Sequence, residues 1–278
     1  MEARPIDVRH LGRQRVICCW QVGDVLIDPG PESAMGTLVD ALGARPPRAL
    51  LLTHIHLDHA GAAGSLVRRW PGLEVYVHEL GAPHLADPGS LLESARRLYG
   101  HDMDRLWGEV APVPQERLRP LRGGEEVEGL EVLYTPGHAS HHVAYLDPRT
   151  RRAYAGDVAG VHIQPADLVL PPTPPPDIDL EAWNRSLSAL AEWGPQTLAI
   201  THFGVVEPVF EHLALVRDRL AAWATLAREL DAAGFEAHIR SEIDEAADPQ
   251  TAAALAQAVP PEQQWLGLDR YWRKRAEG

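Results

Sequence analysis

A short apolar run, Ala-Leu-Leu-Leu-Thr at 49–53, breaks directly into Thr53-His54-Ile55-His56-Leu57-Asp58-His59-Ala60-Gly61. A run this short and this uniformly apolar reads as a strand covered on both faces, which places it in an α/β layer rather than in a half-solvated sheet. In extended chain, residues two apart share a side, so His54 and His56 can reach one metal ion. Asp58 and His59 sit beside each other and point away from that pair, so the chain has to turn. Asp58 is expected to open the next helix as its N-cap. Three imidazoles and one carboxylate within six residues form a nitrogen and oxygen donor set that suits zinc and, less exclusively, iron or manganese.

Three later positions repeat the arrangement. Thr135-Pro136-Gly137-His138, Ala155-Gly156-Asp157 and Ile200-Thr201-His202 each put a polar residue where an apolar stretch stops. That is the sheet edge where α/β folds build their sites. Together His54, His56, Asp58, His59, His138, Asp157 and His202 are enough for two divalent ions sharing a bridging carboxylate. Without ions they would be buried polar groups lacking partners, a costly arrangement. The plain alternative for Asp157 is a strand-end turn residue.

With 278 residues there is room for one large domain or two small ones. Strands are expected at 15–21, 25–28 (with Gly23-Asp24 as a hairpin turn), 49–53, 74–77, 125–135, 142–147, 152–157 and 197–201. Helices are expected up to about residue 42, at 62–70, across an insertion at 79–110, at 179–192, and near 209–233 and 244–258. Strand–helix–strand material in both halves allows two similar layers in one unit, read as 1–208, followed by a helical C-terminal extension at 209–278. Residues 171–176 hold five prolines and form a stiff extended loop, either lining a cleft or serving as a connector.

Composition narrows the function. Asp+Glu outnumber Lys+Arg by 39 to 26, and so acidic a surface repels phosphate backbones, excluding nucleic-acid partners. No stretch approaches the ~18 apolar residues of a membrane span. The N-terminus carries no apolar secretory run, so the cytoplasm is the default compartment. The two adjacent cysteines, Cys18 and Cys19, cannot build a disulfide scaffold and read as strand packing. A small-molecule substrate is the remaining partner. The C-terminal helices offer either a face for a homo-oligomer or a cap over the cleft.

The His-x-His-x-Asp-His stretch at 54–59, followed by His138, Asp157 and His202, resembles the five-part pattern of the metallo-β-lactamase superfamily, over roughly residues 6 to 205. The resemblance implies a four-layer αββα sandwich with a dinuclear centre at one edge. It implies that His54, His56 and His138 hold one ion, that Asp58, His59 and His202 hold the other, and that Asp157 bridges. It further implies a hydrolase in which a metal-bound hydroxide attacks a carbonyl or phosphorus, with Asp58 orienting the nucleophile and relaying its proton. Asp28 is expected to buttress the site or to form a turn, His142 to hydrogen-bond behind it and His162 to face the cleft. His141 is expected at the surface, and His78, His84, His101, His212 and His238 at surface or satisfied core positions.

Within the family the chain is most similar to the glyoxalase II and lactonase-like branches, which implies a thioester, lactone or ester substrate. It departs from both. Val158-Ala159-Gly160 follows Asp157 where many acyl-homoserine lactonases carry a tyrosine nearby, and no basic and aromatic set for glutathione is evident. A phosphodiesterase, a mononuclear-iron enzyme of the persulfide dioxygenase type and a non-catalytic metal-binding protein stay open as alternatives.

Overall fold

Every residue of the strand Ala49–Leu51 is buried, and its two faces serve two different cores. The computed structural model, which describes residues 3–277, shows how. The first half of the chain builds a six-stranded sheet from β1 (Ala3–Asp7), β2 (Cys18–Val22), β3 (Val25–Ile27), β4 (Ala49–Leu51), β5 (Glu74–His78) and β6 (Leu118–Leu121), in that spatial order. The first three strands are antiparallel; β3 through β6 run parallel. The second half builds another from β7 (Glu126–Val127), β8 (Leu130–Tyr134), β9 (Val143–Asp147), β10 (Arg152–Tyr154), β11 (Thr197–Ile200) and β12 (Gly204–Val206). Only β10 and β11 pair in parallel there.

Parallel pairs need crossovers, and helices supply them. α1 (Met35–Leu42) follows β3, and α2 (Leu57–Ala60) with α3 (Ala63–Arg69) follows β4. The helical insertion at 79–110 resolves into α4 (Ala82–Ala86), α5 (Gly89–Tyr99) and α6 (Met103–Trp107) between β5 and β6. α7 (Leu180–Glu192) joins β10 to β11, and the Asp179 carboxylate caps it by accepting from the Ala182 amide at 2.8 Å.

The two sheets stack face to face. Cys18, Trp20, Ile27 and Leu51 from the first meet Val132, Tyr145, Tyr154 and Ala199 from the second in the inner core. Their alternate neighbours Cys19, Leu26 and Leu50 turn outward into a core that includes Leu38 of α1 and Leu66 of α3; Trp183 and Leu187 of α7 cover the second sheet. The result is the expected four-layer αββα sandwich, and strands covered on both sides read as unbroken apolar runs.

After β12 the chain is helical: α8 (Val209–Glu229), α9 (Ala232–Ala246), α10 (Pro249–Ala258) and α11 (Pro261–Glu277). Four helices replace the two expected. Asp231 and Asp248 act as N-caps, and Pro249 and Pro261 open their helices with a ring whose missing N–H costs nothing at that position. The expected strand at 125–135 is a hairpin, β7 and β8, turned at Glu128 (φ 56°) and Gly129 (φ 77°). No helix among the described residues is long and apolar enough to cross a membrane.

Candidate metal centre

All seven residues singled out above converge at one edge of the sandwich, in two clusters. His54, His56, His138 and Asp157 form one; Asp58, His59 and His202 form the other. His54 and His56 emerge where β4 ends, with His54 Nε2 3.0 Å from His56 Nδ1 and His138 Nε2 2.9 Å from the same atom. His59 sits in the short α2 and His202 just beyond β11. The Asp58 carboxylate lies 3.3 Å from His202 Nε2 and 3.9 Å from His59 Nε2. It does not cap α2: the helix starts at Leu57, with His56 in the cap position and Asp58 in the first turn. Its carboxylate faces the centre rather than a free amide.

Asp157 stands between the clusters. Its Oδ2 is 3.4 Å from His138 Nε2, while its Oδ1 is 3.2 Å from His59 Nε2 and 3.7 Å from His202 Nε2. Gly156 makes this possible. It adopts φ 51°, and a Cβ there would come within 2.6 Å of Thr53 Oγ1.

The outer ring nitrogens of three of these histidines are tied down to backbone or carboxylate. His138 Nδ1 donates to the Pro172 carbonyl at 2.8 Å, His202 Nδ1 to the Val16 carbonyl at 2.6 Å, and His59 Nδ1 to Asp28 Oδ2 at 2.8 Å. Asp28 is fully buried and accepts also from the Thr53 amide, the Thr53 hydroxyl and the Thr201 hydroxyl. Thr53 Oγ1 in turn lies 3.0 Å from His54 Nδ1. Asp28 is therefore the buttress expected of it, reaching both clusters. By contrast the inward atoms His59 Nε2, His202 Nε2 and Asp157 Oδ1 are buried without a hydrogen-bond partner. Buried polar atoms are rarely left so. Oriented imidazoles and carboxylates with unsatisfied inner atoms fit two divalent cations, with the outer bonds fixing tautomer and ring direction.

A model of the metallo-beta-lactamase superfamily matches residues 23–202. The chain belongs to that superfamily. The metallo-beta-lactamase fold-containing protein ST1585 of Sulfurisphaera tokodaii is 28% identical over 223 residues, spanning 76% of this chain and 80% of that protein. Its crystal structure superposes with a TM-score of 0.73 over 96% of this chain and 98% of that one. A hydroxyacylglutathione hydrolase of Legionella pneumophila is 27% identical over 135 residues, 47% of this chain and 41% of that enzyme. The structure of TTHA1623, solved in a di-iron-bound form, is 30% identical with a TM-score of 0.54, covering 68% of this chain and 89% of that one.

Other histidines of this superfamily member take different places. His142 stacks on His54 at 5.0 Å, holds Thr135 Oγ1 at 2.8 Å through Nδ1, and accepts the Val158 amide at 3.4 Å through Nε2. It braces the loop that carries Asp157, in line with the hydrogen-bonding role expected. His141 is buried rather than exposed, packed 6.0 Å from the His56 ring. The turn before β9 folds it under the centre instead of outward. His162 points away from the cleft: it donates to the Ala166 carbonyl and stacks on His212 at 5.7 Å.

A cavity of about 390 Å³ opens over His56, Asp58 and Asp157. The proline-rich segment 171–176 lines it, so this loop is more than a connector. It is stitched to α11 by the Thr173 hydroxyl donating to the Gln264 carbonyl at 3.1 Å, with Gly267 leaving room for the Thr173 backbone. The opposite wall comes from the insertion, where Tyr99 packs edge-on to Trp107 and Trp107 stacks on the buried His10 at 5.5 Å. His10 joins three segments: it bonds the Leu106 carbonyl of α6 and receives the Gln257 amide of α10. Sequence reasoning had not marked His10, Tyr99 or Trp107. Nothing local distinguishes them, because the wall exists only once the insertion and the C-terminal helices meet.

Proposed function

We propose that this protein is a dinuclear metal-dependent hydrolase acting on a carbonyl-type bond, a thioester, lactone or ester of a small molecule. The observation that carries the reading is the convergence of seven donors in two clusters beneath one cavity, His56, Asp58 and Asp157 lining its floor, with the inner atoms of His59, His202 and Asp157 buried and unpartnered. His54, His56 and His138 would hold one ion, Asp58, His59 and His202 the second, and Asp157 would reach both through its two oxygens. Ions bound there supply Lewis acidity and lower the pKa of a bound water from about 15.7 to about 7. Zinc suits the donor set, with iron and manganese accepted by the same ligands.

The protein's own residues do the rest. Asp58 and His56 are the two of the seven that are not buried, and the Asp58 side chain is 23% exposed while His59 and His202 are at 0% and 1%. Its position beside the cavity lets its carboxylate orient a nucleophile and take up the proton released. Asp157, held between the rings, stays ionised and keeps the two halves in register. The 171–176 loop and the insertion wall exclude bulk water from the floor and hold the substrate's carbonyl against it. No serine or cysteine nucleophile is required. The kinship with hydroxyacylglutathione hydrolases favours a carbonyl over a phosphorus centre.

Elemental analysis of the purified protein, together with turnover of a thioester, lactone, ester and phosphodiester panel, tests this reading. About two ions per chain with acyl-bond hydrolysis is expected. One iron per chain with no hydrolysis would transfer the protein to oxygen chemistry, and phosphodiester turnover alone would move it to the phosphodiesterase alternative.

A further inference from the structure

The cavity over the centre sorts its ligands by charge and polarity. Its charged lining residues are the carboxylates of Asp58, Asp102, Asp157 and Glu262 and one cation, Arg105. Arg105 is already paired, its Nε 2.9 Å from Asp102 Oδ1. The two rim carboxylates are paired in their turn, Asp102 with Arg105 and Glu262 with Arg240 at 3.2 Å, so neither sign stands free there. A substrate whose non-reacting part carries carboxylates therefore meets no unpaired cation among the lining residues, and it would have to shed its hydration without gaining a partner.

One wall is of the opposite character. α5 and α6 present Leu91, Ala95, Leu98, Leu106 and Trp107 to the cavity. Ala95, Met103 and Trp107 form a small core with Leu57, which leads straight into Asp58. The apolar surface is thus rigidly joined to the reacting floor. At about 390 Å³ the cavity falls within the ~300–1,000 Å³ typical of small-molecule sites.

Resting on the hydrolase reading above, we propose that the substrate is an uncharged acyl compound whose apolar chain lies along the α5–α6 wall, and that conjugates bearing carboxylates on that chain are rejected. The specificity residues are Leu91, Leu98 and Leu106, which take the chain and offer a carboxylate on it no partner.

The test uses the metal-loaded protein and a chromogenic ester series from acetyl to octanoyl, with an eight-carbon ester carrying a terminal carboxylate as the charged match. kcat/KM is expected to rise about fourfold per added methylene until the wall is covered. The carboxylate-tipped ester is expected to fall at least tenfold below octanoyl. Leu98→Arg is expected to flatten the neutral series and to recover the carboxylate-tipped ester, a gain that misfolding cannot produce. Acetyl hydrolysis with a flat series, or equal use of the charged ester, overturns the proposal while the hydrolase reading stands. If no ester is cleaved, the same acyl series is read as thioesters; the hydrolase reading falls only if thioester, lactone and ester all go uncleaved, and calorimetric titration with octanamide and its carboxylate-tipped counterpart then decides the cavity's preference on its own. Binding of octanamide alone supports the proposal; binding of both or of neither removes it.

Discussion

The two halves of the centre use the same residue types, yet their surroundings shift the imidazoles in opposite directions. Burial pushes His54 well below its ordinary value, with its histidine neighbours adding to the effect. Burial and then His138 bring His56 down to about 4, and burial lowers His138 as well. In the other half burial pulls the same way, but the Asp157, Asp28 and Asp58 carboxylates outweigh it and raise His59 well above the usual imidazole range. His202 is raised too, by Asp157 and Asp58 against burial. One half is thus a neutral, preformed nest of lone pairs. In the other, three carboxylates favour protons where an ion is expected.

The bridging residue is where that contrast breaks most completely. Asp157→Ala removes the carboxylate whose two oxygens face the two clusters, and His59 and His202 lose a principal counter-charge. Ion content is expected to drop from about two per chain to one or fewer. Turnover should fall well beyond the ~100-fold associated with losing an outer partner of a ligand. Elemental analysis and the ester assay read both effects. Full activity in this variant would remove Asp157 from the site.

Asp28 acts one layer out and unequally. It bonds His59 directly and reaches His54 only through Thr53. Asp28→Asn keeps the size of the side chain and removes the charge, so the half containing His59 should lose ~10–100-fold in ion affinity while the half containing His54 loses less. Competition with a chromophoric chelator resolves the two binding steps. Equal loss in both would show that the halves are not independently supported.

Protons sharpen the comparison further. An ion displaces whatever proton its ligand carries. His59 is raised well above the usual imidazole range and His202 is raised in the same direction, so the ion that binds them should release more protons than the ion at His54 and His56. Affinity at His59 and His202 should climb as pH rises toward their folded pKa values and fall as pH drops. His54 and His56 are already neutral at pH 7, and with His56 at about 4, the first ion's affinity should be nearly flat from pH 5.5 to 8. Calorimetry in buffers of different ionisation enthalpy counts the protons. Equal release at both steps would erase the distinction.

How much of this was legible beforehand follows the same physics. Five of the seven donors could be read because they stand just past a buried strand, where an apolar run covered on both faces ends at a polar residue, and Asp58 and His59 because they follow the first pair within the same short stretch, in α2. The three strands that went unread, β1, β6 and β12, are edge strands. β1 carries Pro5 with two exposed residues, and β6 carries Pro120. Edges tolerate proline and polar residues, so the alternation that marks a strand is blunted there. Expected strand 15–21 began too early because Arg15 takes φ 61°, and no residue type announces that. His10 and Trp107 were beyond reach for another reason: they meet across 97 residues and mean nothing apart.

The supports of the two halves differ as well, and this yields the smallest effect. His202 and His59 hang on the Val16 carbonyl and on Asp28, next to β2 and β3. His138 instead hangs on Pro172, inside the proline-rich loop. That loop is rigid in its own backbone, but its placement depends on α11. The Gln264 side chain accepts from the Thr173 amide, and its own amide donates to the Pro260 carbonyl at 2.9 Å. Gln264→Ala leaves the buried Thr173 N–H unsatisfied, at a cost of about 1–3 kcal/mol. Most of it should appear as lower thermal stability, with part transmitted to His138. Affinity for the ion held by His54, His56 and His138 is expected to weaken by no more than about tenfold, with the other ion unaffected. A change confined instead to the His59 half would mean that the C-terminal helices support the centre through His10 and the insertion wall, rather than through the loop.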